Sequence, residues 1–300
     1  MYVVLGATGN TGSIIVNSLL LKGEKVRVVG RDASRLERFV RKGAQAVTAN
    51  VTDAGALTKV FSGARAAYLM LPPSMTSKDY RADQERESDA IAKAAREAGL
   101  QYAVHLSSFG ADVAEGTGPI AGLHSSEKKL NGISGLNVLH LRAGYFMENN
   151  LAAIPMIQGM GMFGHALQPD RKVPMIATRD IGAYAAQRLL ALDFSGKETR
   201  ELLGERDLSM TEATSIIARG IGKPDLRYMQ FPYEEVKQVL VQMGIAAKTA
   251  GQFIEMYKAI NAGIVAGREA RTTENTTATA FEQFVQNVFV PAYHGKAASA

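Results

Sequence analysis

Neither cysteine nor tryptophan occurs among the 300 residues. The missing thiol excludes a disulfide framework, a thiolate-ligated zinc or iron–sulfur centre and a cysteine nucleophile. It is compatible with a reducing compartment, and a cytoplasmic location is the expectation. No basic segment followed by an apolar one opens the chain, where Met1 runs directly into Tyr2-Val3-Val4-Leu5. No apolar run approaches the roughly 18 residues of a membrane span, so no membrane is expected among the partners. No Gly-x-Ser-x-Gly elbow supports a hydrolase, and no His/Asp/Glu cluster has metal-site spacing. Charges are mixed along the chain at a net +5, with no basic stripe interleaved with aromatics, so direct nucleic-acid binding is not expected.

What is present is glycine, 29 residues in 300, above a background of about 7%. Residues 1–142 alternate short apolar runs with amphipathic ones, the pattern of βαβ units. Strands are predicted at Tyr2–Leu5, Lys25–Val29, Ala46–Val51, Ala66–Leu71, Tyr102–Leu106 and Asn137–Leu141. Helices are predicted at Gly12–Lys22, Ser34–Lys42 and Ser77–Ala98. Strands separated by helices cannot be hairpin partners, so the fold class is α/β: a doubly wound, parallel, Rossmann-type sheet. After Arg142 the rhythm changes: Met147, Met156, Met160, Met162 and Met175 crowd one stretch, and another helix runs from Asp180 to about Leu192. Short strands near Glu201–Leu203 and Leu226–Phe231 follow, with helices starting near Ser209, Tyr233 and Ala247. The division predicted is a nucleotide-binding domain over 1–195 and a smaller C-terminal α/β substrate lobe over 196–300, with 151–170 an excursion toward that lobe. The tail Gly295–Ala300 is expected to fray.

The strongest chemical signal is Gly6-Ala7-Thr8-Gly9-Asn10-Thr11-Gly12, between the first strand and the first helix. Glycine is needed where backbone turns tightly and approaches a phosphate with no Cβ in the way. The helix behind it offers free N–H groups and a partial positive charge. That context makes Gly6, Thr8, Gly9, Asn10, Thr11 and Gly12 a dinucleotide-binding loop. The second strand ends Val28-Val29-Gly30-Arg31. An acid there would accept from an NAD ribose, whereas Arg31 suits a 2′-phosphate, so NADP(H) is favoured over NAD(H). Arg38 and Lys42 read as a solvated helix face. Asn50 and Val51 close the third strand where an adenine edge is met in such sheets; an ordinary turn is the other reading. Leu71, closing the fourth strand before Pro72-Pro73, is a further cofactor contact by the same placement.

GATGNTG at 6–12, Arg31, the run Gly118-Pro-Ile-Ala-Gly-Leu-His-Ser-Ser-Glu127 and Leu139-His-Leu-Arg-Ala-Gly-Tyr-Phe-Met-Glu-Asn149 resemble the NmrA-like group of atypical short-chain dehydrogenases/reductases. The likeness is strong over 1–149, supported by Thr178-Arg-Asp-Ile181 and faint beyond. It implies one of two occupations: an NADPH-dependent reductase of a quinone-like or other conjugated small molecule, or a cofactor-sensing regulator with a protein partner. A homodimer is compatible with either.

Ordinary short-chain dehydrogenases place a serine and then Tyr-x-x-x-Lys beside the nicotinamide. Ser107 stands where that serine belongs, but the one Tyr-x-x-x-Lys here is Tyr233–Lys237, over a hundred residues late. NmrA-like enzymes similarly lack the tyrosine and often carry a lysine or histidine at the start of the following helix. Counting back from Glu127 and Leu130, that position is Leu123, and His124 comes one residue later. His124 is therefore the candidate proton donor, with Ser107 and Tyr145 as further catalytic candidates. By the same resemblance, Tyr145 and Phe146 are the nicotinamide-side contacts. His105 and His140 lie inside strands and read as core residues.

Overall fold

The computed structural model describes residues 1–296; the last four residues of the tail expected to fray lie outside the described residues. Its strands are β1 (Tyr2–Val4), β2 (Val26–Gly30), β3 (Gln45–Thr48), β4 (Ala66–Leu69), β5 (Tyr102–Ser108) and β6 (Asn137–Ala143), followed by β7 (Tyr145–Phe146), β8 (Met162–His165), β9 (Val173–Ile176), β10 (Lys197–Leu202), β11 (Asp207–Leu208) and β12 (Arg227–Gln230). Seven of them form one parallel sheet in the order β10-β6-β5-β4-β1-β2-β3. Side chains alternate across it as a strand requires. Tyr2 and Val4 enter one apolar core, and Val3 and Leu5 the other, so both faces are buried. The connections run one way from β1 to β3 and the other way from β4 to β10. The switch point of this sheet therefore lies between β1 and β4, where open α/β sheets collect ligands at their carboxyl edge.

The helices are α1 (Asn10–Leu21), α2 (Ala33–Val40), α3 (Ala54–Phe61), α4 (Tyr80–Glu97), α5 (Pro119–Asn131), α6 (Ile154–Met160), α7 (Thr178–Ala191), α8 (Met210–Gly220), α9 (Tyr233–Gln242) and α10 (Ala247–Asn261), with a last helical segment over 281–293. Ser209 and Glu212 form the predicted capping box at the start of α8. Two differences from expectation bear on the main sheet. The third strand ends at Thr48, and α3, capped by Asp53 accepting from the Ala56 N–H, follows where no helix was predicted. The strand predicted near Glu201–Leu203 starts at Lys197 and joins the main sheet beside β6, after α7 has carried the chain back across it.

A third core gathers Met147, Ile157, Phe163, Leu167 and Met175 with Leu208, Ile217, Phe281 and Phe289. It is bounded by two small sheets, β11-β9-β7 and β12-β8. This second unit stands at the carboxyl edge of the main sheet because β7 leaves directly from the end of β6.

His105 and His140 sit side by side on β5 and β6, both essentially inaccessible. One arrangement of protons satisfies the whole row. His140 donates from Nε2 to Asn131 Oδ1 (3.0 Å), His105 donates from Nδ1 to His140 Nδ1 (2.9 Å), and the Ser126 hydroxyl donates to His105 Nε2 (3.2 Å). Neither ring can charge without losing an acceptor nitrogen. Burial, then the neighbouring ring for His105 and Arg142 for His140, hold both well down, at about 3 against an ordinary 6.5. Below pH 6.5 the unfolded chain takes up protons that the folded one refuses, so stability should fall as pH drops toward 3. In a calorimetric pH series the His105→Leu/His140→Leu double variant is expected to lose melting temperature less steeply over that range.

Candidate active site

Three glycines shape the turn after β1. Gly6 takes φ +62°, in the left-handed region, and its carbonyl accepts from the Gly9 N–H at 2.9 Å. Gly9 caps α1 with no side chain over the helix end. A Cβ on Gly12 would lie 2.2 Å from the Gly6 carbonyl oxygen, so the first turn of α1 presses on the loop more closely than any other residue permits. The N–H groups of Asn10, Thr11 and Gly12 open α1 and have no acceptor within it, and no acidic residue stands in that turn. The Thr11 hydroxyl is paired with the Tyr68 hydroxyl (2.9 Å, buried), so what Thr11 offers the loop is backbone. Thr8 is half-buried, and its carbonyl accepts from Arg38 at 3.5 Å. These residues fit a pyrophosphate: a glycine cradle without a Cβ in it, under an open helix start.

Arg31 is exposed at the end of β2. Its neighbour Asp32 caps α2, accepting from the Ser34 N–H (2.9 Å) and hydroxyl (2.7 Å), and the hydroxyl bond above all holds its carboxyl below the usual range. The acid at the end of β2 is thus engaged by its own helix, and Arg31 stays exposed beside it. Arg38, read as a solvated residue, lies beside Thr8 with its guanidinium stacked on Phe39. Lys42 donates to Asn17 on α1 (2.9 Å). Asn50 is exposed and accepts from the Thr52 N–H (3.2 Å), while Val51 and Leu71 are buried a few residues beyond β3 and β4, not within the strands as predicted.

Ser107 is buried, and its hydroxyl donates to Glu127 Oε1 at 2.6 Å. Arg142 grips the same carboxylate with two bonds, Nε to Oε1 (3.0 Å) and Nη2 to Oε2 (2.7 Å). The structure therefore places the predicted serine in a buried ion-pair cluster, and Ser108, half-buried beside it, is the more accessible hydroxyl. His124 is half-buried and donates from Nδ1 to the Ala111 carbonyl (2.8 Å), and its Nε2 has no partner among the described residues. Leu123 packs instead against the core behind the sheet. Tyr145 and Phe146 point opposite ways from β7: Tyr145 joins the core of the second unit, and Phe146 packs on the core of the sheet. Burial raises the Tyr145 phenol above its ordinary range. No group of three potential metal ligands occurs, and no helix is long and apolar enough to cross a membrane, among the described residues.

The model of the NmrA-like family matches residues 2–284. The chain belongs to that family. Among its relatives, an NAD(P)H azoreductase of Xenophilus azovorans is 27% identical over 286 residues, 91% of this chain and 95% of the relative. Quinone oxidoreductase 2 of Escherichia coli (strain K12) is 26% identical over 249 residues, 82% of each chain. Among solved structures, an NADPH-dependent quinone oxidoreductase of Escherichia coli complexed with NADPH superposes with a TM-score of 0.78 at 20% identity, covering 96% of this chain and all of the other. NmrA itself, a negative transcriptional regulator in complex with NADP, superposes at 0.66 with 15% identity, covering 98% of this chain and 97% of that one.

One buried acid of this NmrA-like chain has no signal in the sequence. Glu87 lies on the buried face of α4, with no partner for Oε2 among the described residues. Burial pushes its carboxyl up to about 7, against the opposing pull of Arg31 and Arg86. A protonatable acid therefore stands within electrostatic reach of Arg31. Because the folded form holds this proton more tightly than the unfolded chain does, the contribution to stability is present below 4.5 and lost as pH rises through about 7. Glu87→Gln should melt at the same temperature as the parent near about pH 4 and at a higher one near about pH 8, read by thermal shift.

Proposed function

We propose that this protein is an NADPH-dependent reductase whose acceptor is a quinone or another conjugated small molecule. The observation that carries the reading is the pairing of an open, glycine-lined start of α1 with an exposed Arg31 at the end of β2, its neighbouring acid being committed to a helix cap. The names of the two curated relatives and the NADPH complex of the similar fold support it.

In this reading the Asn10, Thr11 and Gly12 N–H groups hold the pyrophosphate, and Gly6 and Gly9 let it approach. Arg31 takes the 2′-phosphate, with Arg38 adding positive charge beside Thr8. Asn50, Val51 and Leu71 border the adenine end, and Tyr145 and Phe146 the nicotinamide end. NADPH, when bound, supplies the hydride. The protein's own work is position, a dry wall and a proton. Phe146 and the apolar core under it exclude water on the sheet side. His124, held by Ala111 at Nδ1, takes a proton from solvent at Nε2 and passes it to the reduced acceptor.

A second reading is a redox-sensing regulator, supported by the likeness to NADP-bound NmrA and by Leu123 standing where the family often carries a basic residue. Loss of NADPH absorbance with a panel of quinones, azo dyes and enones separates the two. Turnover is expected, abolished by Gly12→Ala and lowered on the order of 100-fold by His124→Ala. Tight NADPH binding without turnover on any of them would move the protein to the regulator class. Arg31→Asp should weaken NADPH by a factor on the order of 10–100 and leave NADH nearly unchanged. Equal losses in titrations with the two cofactors would remove Arg31 from the 2′-phosphate.

A further inference from the structure

Between the end of α10 and the last helical segment, residues 262–280 form neither helix nor strand, apart from a single bridge between Thr276 and Leu203. Stretches longer than about 12–15 residues without such structure are uncommon in compact proteins, and those that are ordered are usually functional. This one is a strap. It leaves the second unit at Asn261 and crosses to the carboxyl ends of β10 and β5 in the sheet unit.

One side chain clasps it there. Glu201, near the end of β10, is 1% exposed. Its Oε1 accepts from the Arg268 N–H (2.9 Å) and its Oε2 from the Glu269 N–H (3.1 Å). The Glu269 carboxylate accepts in return from the Glu201 N–H at 3.1 Å. A buried carboxylate is costly unless its lone pairs are occupied, and here two backbone donors occupy them. Past the clasp, the Leu203 N–H donates to the Asn275 carbonyl (2.7 Å) and the Thr277 N–H to the Leu203 carbonyl (3.0 Å).

Held by Glu201, the strap presses on the turn that follows β5. Gly110 takes φ +83°, and a Cβ on it would lie 2.8 Å from Val265, which fills the room a side chain would need. A Cβ on Gly267 would come within 3.3 Å of both the Phe109 ring and Glu201 Oε2. Arg268 donates from Nε to Asp112 Oδ2 at 2.6 Å. Val265, Gly267 and Arg268 thus meet Gly110, Phe109 and Asp112, the residues on both sides of Ala111.

That residue is where the strap reaches the chemistry. Ala111 is fully buried, and its carbonyl accepts from His124 Nδ1 at 2.8 Å. The carbonyl belongs to the peptide unit shared with Asp112, whose side chain Arg268 grips. The turn's own bonds run from the Ala111 N–H to Ser108 (3.0 Å) and from the Val113 N–H to Gly110 (3.1 Å). Neither involves that peptide unit. Because a carbonyl can only accept, its position decides that a neutral His124 carries its proton on Nδ1 and keeps Nε2 bare.

We propose that Glu201 is a positioning residue for His124: by clasping the strap against Phe109, Gly110 and Asp112 it fixes the Ala111 carbonyl, and with it the tautomer of the His124 ring. What the ring does in turnover rests on the reductase reading; how it is held does not.

The test reads the ring directly. In the full chain, labelled with ¹⁵N-histidine, saturated with NADP⁺ and held at about pH 8.5, ring-nitrogen shifts report which nitrogen of each neutral imidazole carries the proton. His124→Ala assigns the signal, and the parent is expected to show the proton on Nδ1. Glu201→Gln turns one acceptor of the clasp into a donor. Val265→Ala leaves the clasp intact and lifts the pressure on Gly110. Each is expected to move the His124 ratio about fivefold toward the Nε2–H form, the loss of one net hydrogen bond. His105, fixed within the sheet beside His140, is the internal control and should keep its tautomer. In turnover with a quinone, kcat should fall with the Nδ1–H fraction while KM for NADPH stays unchanged. A His124 ring that keeps its tautomer in both variants, or a His105 ring that changes along with it, would overturn the proposal. So would a kcat that falls without any change of tautomer. If the parent turns over and the ring ignores both variants, the positioning role falls and the reductase stands. If the tautomer depends on the strap and no acceptor is ever reduced, the positioning stands and the reductase falls.

Discussion

A single methyl group has no place between the loop after β1 and the first turn of α1. The Gly6 carbonyl would stand 2.2 Å from a Cβ on Gly12. α7 presses on the same turn, since a Cβ on Gly182 would lie 2.8 Å from the Thr11 carbonyl. The Thr11–Tyr68 bond ties the turn to β4 as well. Held from three directions, the free N–H groups of α1 have a fixed aim, which is what electrostatic recognition of a phosphate requires. The constraint also propagates. α7 is capped by Glu148, whose carboxylate accepts from the Thr178 N–H (3.1 Å) and hydroxyl (2.5 Å). Glu148 stands two residues after Phe146, so the packing that aims the helix start also fixes where β7 leaves the sheet.

The buried Glu127–Arg142 pair sets the other half of the site. A buried ion pair stabilises little by itself unless its hydrogen bonds are complete. Here the fork of Arg142 and the Ser107 hydroxyl occupy the carboxylate, and the result is a fixed rotation of α5 against β5 and β6. At about 100° per residue, Leu123 and His124 then flank Glu127 on opposite sides, roughly 40° one way and roughly 60° the other. The shift of one residue from the family's basic position is therefore a change of face. Leu123 turns to the core behind the sheet, and His124 to the Ala111 carbonyl.

What could be read from the sequence was whatever local pattern dictates. The apolar runs of β1, β2 and β4 and the glycine spacing before α1 carry their own signal, because a two-sided sheet and a phosphate turn leave few alternatives over ten residues. The family and the doubly wound sheet followed from them. Long-range pairing left no such trace. The strand Lys197–Leu202 carries four charged residues, as an edge strand does, and nothing local says that its partner is β6. α3 was missed because its apolar residues, Leu57, Val60 and Phe61, fall in an eight-residue helix too short for a clear period. Glu87 stands in a run with Glu85, Arg86 and Asp89 and so reads as part of a solvated face; only the packing of α4 buries it. The engagement of Ser107 is likewise invisible until α5 places Glu127 opposite it.

The sheet unit and the second unit are tied together by α10. Its Thr249 hydroxyl donates to the Ser77 carbonyl (2.8 Å), and its Gln252 amide donates to Asp79 (2.9 Å). A Cβ at Gly118, the cap of α5, would fall 2.0 Å from the Gln252 carbonyl, so helix and sheet unit touch there through bare backbone. Further along, the same helix carries Tyr257 and then Asn261, which holds the segment behind His165. One element thus anchors to the sheet unit at its start and holds the second unit at its end.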